Sequence, residues 1–270
     1  MVASAPAKSG AIFMRDARIA LAYPVNFWGQ WLSIVGQVVT FYFISRLVGS
    51  SGAYGIAGHP ATYFDYVAIN LAFVRFQNVA IHSFQQAMRG QQMIGTLEVL
   101  MATPTGLPLL ILSSGLWAFT LTLLQIAFFL SIAWGLGLHL NHVNLISAAV
   151  FLALTMLAMS PIGVLSAASI MIFKQEAPTA MLFGGAGALL GGVLFPVARL
   201  PHWLQLISWL LPITHSLNGI RGAVAGASVA DLRPDAIWLA VVTIILGPIS
   251  LYAFGRAVRR AKVDGTLGDY

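Results

Sequence analysis

The chain has 270 residues, of which 8% are charged and 59% are hydrophobic, and its formal net charge is +6. A water-soluble domain carries about 25% charged residues, so this composition excludes an ordinary soluble enzyme and predicts a polytopic membrane protein. The absence of cysteine from the sequence excludes disulfides, thiolate metal sites and cysteine catalysis. In a membrane protein an excess of positive charge reflects the enrichment of Lys and Arg in cytoplasmic loops, so no nucleic-acid partner is expected.

The first predicted element is an interfacial helix over residues 8–24. Arg15 and Arg18 are three residues apart on one face, and apolar side chains such as Phe13 and Leu21 point the other way. Pro24 is expected to end this helix. The alternative for the segment is a disordered basic tail.

Six apolar runs follow, each long enough to cross a bilayer as a helix of ~20 residues. Unpaired backbone groups are costly in hydrocarbon, so helix is the economical conformation for each run. The expected fold is therefore an all-α polytopic membrane protein, with 1–270 forming a single transmembrane domain. The six predicted spans are 27–47, 63–82, 107–138, 145–173, 179–197 and 236–258.

The distribution of Lys and Arg predicts the orientation of the spans. With both termini in the cytoplasm, nine of the 14 basic residues lie on the inner side, including the cluster from Arg256 to Lys262. No cleavable signal peptide is expected, because residues 1–26 lack an apolar core followed by a small-residue cleavage site. The first span is then its own insertion signal in a plasma membrane.

Polar side chains recur along the first two spans and are candidates for a translocation path. Ionisable groups inside a membrane are costly and face a protein interior or a water-filled cavity, as expected above all for Arg75 near the middle of its span. The alternative is that these groups bond to each other and hold the bundle together. The candidates are Gln30, Ser33, Gln37 and Thr40 in the first span and Asn70, Arg75, Asn78 and His82 in the second.

Two further patterns concern packing. Arg46 and Asp65 stand near the outer ends of consecutive spans and are expected to pair. Gly187 and Gly191 give the fifth span a Gly-x-x-x-Gly spacing, which predicts close approach of another helix of the same chain.

The inner loop between the second and third spans predicts a short amphipathic helix at 96–103. Gly95 ends the preceding helix, Thr96 caps a new one and Glu98 suits its first turn. Leu97, Leu100 and Met101 form one apolar stripe, and Pro104 stops the helix. Such a helix is suited to docking on a cytoplasmic partner.

Residues 201–224 predict two short helices hinged at Pro212, lying at or dipping into the outer face. The apolar stretch before Pro212 is too short to cross the bilayer, and a seventh span would place the basic C-terminal cluster outside. Trp203 and Trp209 are expected to be interface anchors.

In two places the sequence resembles the membrane subunit of type-2 ABC exporters. The run GTLEVLMATP is similar to that family's signature between the second and third spans. The run LFPVARLPHWLQLISWLLPITHSLNGIRG is similar to its second signature, before the last span. Six spans, an interfacial helix and a basic tail agree with this resemblance, which covers nearly the whole chain.

The resemblance implies roles for both segments. It implies that 96–103 is a coupling helix that inserts into a cytoplasmic ABC ATPase subunit, present in two copies, with Glu98 as its polar contact. It implies that 201–224 is an outer re-entrant pair; simple helix capping by Glu98 and a local turn at Thr214 and His215 are the structural alternatives. The resulting outer gate candidates are Pro201, Trp203, Pro212, Thr214 and His215.

The resemblance also implies the assembly and the cargo. A second permease chain, identical or related, would complete a dimer in which the first and fifth spans meet. The cargo would be a drug-, lipid- or lipo-oligosaccharide-like molecule exported across a bacterial plasma membrane.

Several kinds of chemistry are missing from the sequence. It has no G-x-x-x-x-G-K-[ST] loop, so ATP and Mg²⁺ would be held by the partner ATPase, and this chain is not expected to be an enzyme. No metal site is predicted, and Ser166 lacks the G-x-S-x-G context of a nucleophile. The alternative functions are an ion-coupled secondary transporter, which needs carboxylates at mid-membrane, and a structural role in a larger complex.

Overall fold

The computed structural model describes residues 5–48, 54–56, 59–93, 107–139, 142–173 and 187–263. These residues are helical apart from turns and a short antiparallel hairpin, in which β1 (Tyr54–Ile56) pairs with β2 (His59–Ala61). The expectation of an all-α protein is confirmed at this level.

The chain begins with two consecutive helices, α1 (Ala5–Ala22) and α2 (Pro24–Val48). Pro24 opens α2, where its missing N–H is tolerated, and so ends α1 as predicted. The hydroxyl oxygens of Ser9 and Ser113 lie 2.9 Å apart, so α1 packs along the fourth helix. By contrast, α2 has only two fully buried side chains, Ile34 and Val38.

Three long helices follow the hairpin: α3 (Tyr63–Met93), α4 (Leu107–Gly135) and α5 (Leu145–Phe173). Asp65 caps the start of α3 by accepting bonds from the Thr62 N–H at 3.1 Å and the Thr62 hydroxyl at 2.8 Å. The expected ion pair between Arg46 and Asp65 is absent from the described residues. Arg46 instead donates to the Tyr42 hydroxyl at 2.8 Å, and Asp65 accepts the His139 N–H at 3.1 Å.

The predicted fifth span, 179–197, is corrected over the part that the structure describes. Only α6 (Gly187–Leu190) is helical, and residues 191–196 form a turn that we call the helix break, followed by a 3₁₀ turn at Val197–Arg199. Gly192 has a φ of +76°, a conformation that favours glycine and ends the helix. Gly191, one of the two glycines that predicted close packing, does lie against Ile213 of the later helix Pro212–Val224, but it lies in the turn that follows α6.

Two short helices and one long helix complete the chain: α7 (His202–Leu210), α8 (Pro212–Val224) and α9 (Arg233–Val263). Leu211 is extended and Pro212 opens α8, which places the hinge where the sequence predicted it. The two helices differ in burial: α8 is buried along most of its length, whereas α7 buries only Ser208.

The core lies where α3, α5 and α8 meet, with α4 and α9 packed on its sides. Its largest fully buried side chains include Tyr66, Phe84, Phe129, Phe151 and Met159. Gly219 of α8 lies directly against the Phe151 ring, and a Cβ on Gly163 of α5 would stand 2.7 Å from the Ala80 carbonyl oxygen of α3. Small residues thus set the closest helix approaches, as is usual in membrane bundles.

Four described segments are long and apolar enough to cross a membrane: Pro24–Val48, Gly115–Gly135, Leu145–Ser169 and Arg233–Arg260. α3 is long enough, but its polar side chains keep it out of this set. The expected count of six spans also requires α3 and the region 179–197 to cross the membrane, and these two crossings stay predictions.

Candidate functional site

The predicted polar stripes of the first two spans meet at one place, which we call the polar seam: Gln37 of α2 and Arg75 of α3. Arg75 donates to the Gln37 side-chain oxygen through Nε at 3.1 Å and also through Nη2. The guanidinium lies 5.9 Å from the centre of the Phe129 ring of α4. The seam is thus the junction of three helices, and both of its side chains are part-buried.

The other candidates on α2 lie on its open side. Gln30 accepts a bond from the Gln125 amide of α4 at 3.0 Å. Ser33 and Thr40 are exposed and donate to carbonyl oxygens of their own helix, at 2.9 and 2.7 Å. On α3, Asn78 and His82 are part-buried.

Asn70 does not join the polar seam but belongs to a separate buried cluster. Its amide donates to the Val193 carbonyl at 2.8 Å, and its side-chain oxygen accepts from Arg221 Nε at 2.9 Å. Arg221 also donates to the Gly192 carbonyl, which accepts the Tyr66 hydroxyl at 2.6 Å. The guanidinium stacks over the Tyr66 ring at 4.6 Å.

This buried cluster satisfies the carbonyl groups that the helix break leaves without helical partners. Unpaired backbone oxygens are costly away from water, and three side chains from α3 and α8 supply the donors. Asn70 was a candidate for the translocation path, and its observed bonds correspond to the structural alternative, whereas Arg221 was not among the predicted site residues. The signal for Arg221 was an arginine between two glycines: Gly219, which lies against Phe151 of α5, and Gly222, which lies against Leu232 in the turn before α9.

The outer gate candidates surround the hinge between α7 and α8. Pro201 precedes α7, Trp203 is exposed, and Pro212 is buried. The buried Thr214 hydroxyl donates to the Ser208 carbonyl at 2.6 Å, and Ser208 in turn donates to the Leu190 carbonyl at 2.6 Å. This chain of bonds joins α8, α7 and α6.

His215 connects the hinge to the start of α9. Its Nδ1 lies 2.6 Å from an Asp235 carboxylate oxygen, and its Nε2 lies 2.8 Å from the Trp209 carbonyl oxygen. A carbonyl can only accept, so Nε2 is the donor in the bond to Trp209. The Trp209 and Trp238 rings flank the imidazole at 5.6 and 5.4 Å.

The turn before α9 has its own capping interaction. Ser228 donates to an Asp231 carboxylate oxygen from its hydroxyl at 2.7 Å and from its N–H at 2.9 Å. These two bonds favour the ionised carboxylate and hold the pKa of Asp231 below its usual value. The segment leading from α8 into α9 is thereby fixed.

The coupling candidates, Gly95, Thr96, Leu97, Glu98, Leu100, Met101 and Pro104, lie outside the described residues. Their roles therefore stay predictions. Within the described ranges, no three His, Asp or Glu side chains lie close enough to hold a metal ion.

Long apolar helices with polar groups paired between them define the class of protein: a multi-pass membrane protein of helical-bundle type. The family model for the ABC-2 type transporter matches residues 11–224, most of the chain, and the chain belongs to this family. The resemblance seen in the two sequence runs is confirmed at the level of the family. No curated protein matches the chain. The protein is thus a membrane component of a transporter.

Proposed function

We propose that this chain is the permease subunit of an ATP-driven exporter whose ATP is hydrolysed by two copies of a separate cytoplasmic ABC ATPase subunit. The observation that carries the proposal is the ABC-2 match over residues 11–224. It is supported by the sequence, which contains no phosphate-binding loop of its own. We place the protein in a bacterial plasma membrane, with both termini in the cytoplasm and the interfacial helix on the inner side.

The translocation path would lie along the open side of α2. In one copy of the chain, α2 exposes Gln30, Ser33 and Thr40 together with large apolar side chains, among them Trp28 and Leu32. An exposed polar stripe in hydrocarbon is unfavourable. A second permease chain, identical or related, would cover it and enclose the path between two copies.

The outer end of the path would be closed by α7 and α8. These helices share one hinge, and α8 is fastened to α9 by His215 and to α3 by Arg221. A movement of α3 or α9 would therefore reach the hinge directly. This supports a gating role for Pro201, Trp203, Pro212, Thr214 and His215.

The driving motion would enter through the predicted coupling helix at 96–103, which directly follows the α3 region in the chain. Closure of the ATPase subunits would push on Glu98 and on the apolar stripe of Leu97, Leu100 and Met101. A rigid α3 would then transmit the displacement to the polar seam and to the buried cluster.

The cargo would be a drug-, lipid- or lipo-oligosaccharide-like molecule. The alternative, an ion-coupled secondary transporter, needs a titratable carboxylate in mid-membrane. Asp65 and Asp235 are used at helix starts, where they bond to Thr62 and His215. This placement favours the ATP-driven proposal.

Co-purification with candidate ATPase subunits tests the proposal. We expect an ATPase to bind the wild-type chain and to be lost or uncoupled in Glu98→Arg and in a deletion of residues 96–101. Glu176→Arg, the same charge change at another predicted inner position, is the matched control and should retain the ATPase. If no ATPase binds, and transport persists in ATP-depleted vesicles, the secondary transporter is the correct assignment.

A further inference from the structure

Arg75 is a permanent cation near the middle of the membrane. It stands about 18 Å along α3 from Tyr63, for a rise of ~1.5 Å per residue. The hydrocarbon core of a bilayer is ~30 Å thick. Gln37 stands about 20 Å along α2 from Pro24, close to the midpoint of that helix, and its bond to Arg75 places the two side chains at the same depth.

Among the residues that the structure describes, the charge of Arg75 has no counter-ion. Its only hydrogen-bond partner among the described residues is the neutral Gln37, and its guanidinium is part-buried. Arg221 provides the internal contrast, because it is buried, stacked on Tyr66 and bonded to two different acceptors. Arg221 is a structural cation, whereas Arg75 has donor capacity left.

None of the carboxylates that the structure describes is bonded to Arg75. The whole sequence has eight acidic residues. Of the described ones, Asp65, Asp231 and Asp235 bond near the starts of helices, and Asp16 pairs with Arg15 within α1. The others lie outside the predicted spans. A second identical copy would bring the same eight residues. They are Asp16, Asp65, Glu98, Glu176, Asp231, Asp235, Asp264 and Asp269.

An open cavity lies along the first turns of α2, at its predicted cytoplasmic end. It has a volume of about 660 Å³ and is lined by Ala22, Tyr23, Pro24, Val25, Asn26, Gly29, Gln30 and Ser33. Ser33 lies one helical turn before Gln37, so both project on the same side of α2. Volume and mixed lining suit a small amphiphilic molecule.

The second helix of the seam offers a matching polar track. Asn78 and His82 follow Arg75 at spacings of three and four residues, and all three side chains are part-buried. They therefore lie on one face of α3, from mid-membrane towards its cytoplasmic end.

We propose that Arg75 binds the anionic headgroup, phosphate or carboxylate, of a membrane amphiphile that enters from the inner leaflet through the cavity at α2. The inference rests on the proposed function and names the class of its cargo. A guanidinium offers paired N–H donors that fit the oxygens of such a headgroup, and the apolar chain lies along α2. Gln37 holds the guanidinium in position.

Lipid selectivity of the purified full-length chain tests the inference without any ATPase. The chain is placed in detergent with spin-labelled phosphatidylglycerol or phosphatidylcholine, and the immobilised fraction of each probe is titrated. We expect wild type to prefer phosphatidylglycerol and Arg75→Gln to bind it about tenfold more weakly, as for the loss of one charge-assisted hydrogen bond. Arg75→Lys keeps the charge and should retain most of the preference.

Arg46→Gln is the matched control, because Arg46 is an exposed arginine bonded only to Tyr42 among the described residues. It should bind the probe as wild type does. Equal binding of the two lipids by wild type, or full phosphatidylglycerol binding by a folded Arg75→Gln, would overturn the inference.

A second arm separates cargo from a resident bilayer lipid. With the ATPase partner bound, Mg-ATP should lower the immobilised phosphatidylglycerol of wild type, because cargo leaves on turnover. Retention of the probe during turnover identifies a resident lipid and overturns the cargo assignment. If the ATPase binds but Arg75 shows no lipid selectivity, the exporter proposal stands and this inference alone falls.

Discussion

At the scale of single residues, the two most central arginines of the bundle have different tasks. Arg221 donates to the carbonyl of Gly192 and to Asn70, and so completes the backbone of the helix break. Arg75 meets one neutral side chain and keeps part of its surface open. The two arginines differ in burial and in the number of hydrogen-bond acceptors they contact, and these differences decide their roles.

Arg221→Met should destabilise the protein. It leaves the Asn70 oxygen without its arginine donor and the Gly192 carbonyl with Tyr66 alone, at a cost of about 2 kcal/mol in the free energy of unfolding. Thermal unfolding in detergent, followed by loss of the monodisperse peak, measures the change. Arg259→Gln on the exposed side of α9 is the control, and an equal shift in both variants would contradict the structural role of Arg221.

The contact between His215 and Asp235 should behave as one coupled unit. A double-mutant cycle with His215→Ala and Asp235→Ala is expected to give a coupling energy of about 1–2 kcal/mol, because each single change strands the other polar group. Unfolding in denaturant at neutral pH measures the four stabilities. Additive effects of the two changes would show that the hinge and α9 are fastened elsewhere.

At the scale of elements, burial separates α7 from α8 although their sequences are continuous. Both are amphipathic short helices, but α8 enters the core through Gly219, which contacts Phe151 of α5. Gly191 lies against Ile213 in the same way, where a Cβ would stand 2.7 Å from Ile213 Cγ2. The hinge therefore has one buried arm, α8, and one largely exposed arm, α7.

Gly219→Ala should push α8 away from α5. The added methyl group collides with the buried Phe151 ring, and overpacking of this kind costs about 1–3 kcal/mol. Thermal stability in detergent measures the loss, and Phe151→Leu in the same chain should restore part of it. Gly255→Ala has open space around its Cβ and should be neutral or slightly stabilising. Equal stability of Gly219→Ala and wild type would contradict the close approach.

At the scale of the whole molecule, the membrane topology depends on whether α3 crosses the bilayer. It is too polar to count as a span by composition, yet it forms the centre of the core, with Tyr66, Phe76 and Phe84 buried. Neighbouring helices shield its polar groups, which is how polar helices are kept in membranes. The six-span arrangement requires α3 to cross.

Cysteine labelling decides this point directly, since the natural sequence contains no cysteine. In intact cells, a membrane-impermeant maleimide should label Ala61→Cys at the outer end of α3. It should label Gly90→Cys and Gly268→Cys only after permeabilisation. Labelling of Ala61→Cys and Gly90→Cys from the same side would show that α3 does not cross.

Most of the helices could be predicted from the sequence, because the positions and lengths of helices depend largely on neighbouring residues. Pro24 and Pro212 open helices, and apolar runs of sufficient length form them. The prediction of a helical fifth span was wrong after Leu190, because an apolar run of sufficient length does not reveal a break within it. A positive φ at Gly192 and donors contributed from two distant helices stabilise a conformation that the local sequence does not encode.

The sequence by itself determined the class of the protein: hydropathy gave a membrane bundle, and two linear signatures gave the family, since both are properties of contiguous residues. Only the tertiary structure decided how the polar residues are divided. Gln37 with Arg75 and Asn70 with Arg221 are separated by 38 and 151 positions, respectively. Which of them pair depends on helix packing, and packing is set by the whole chain.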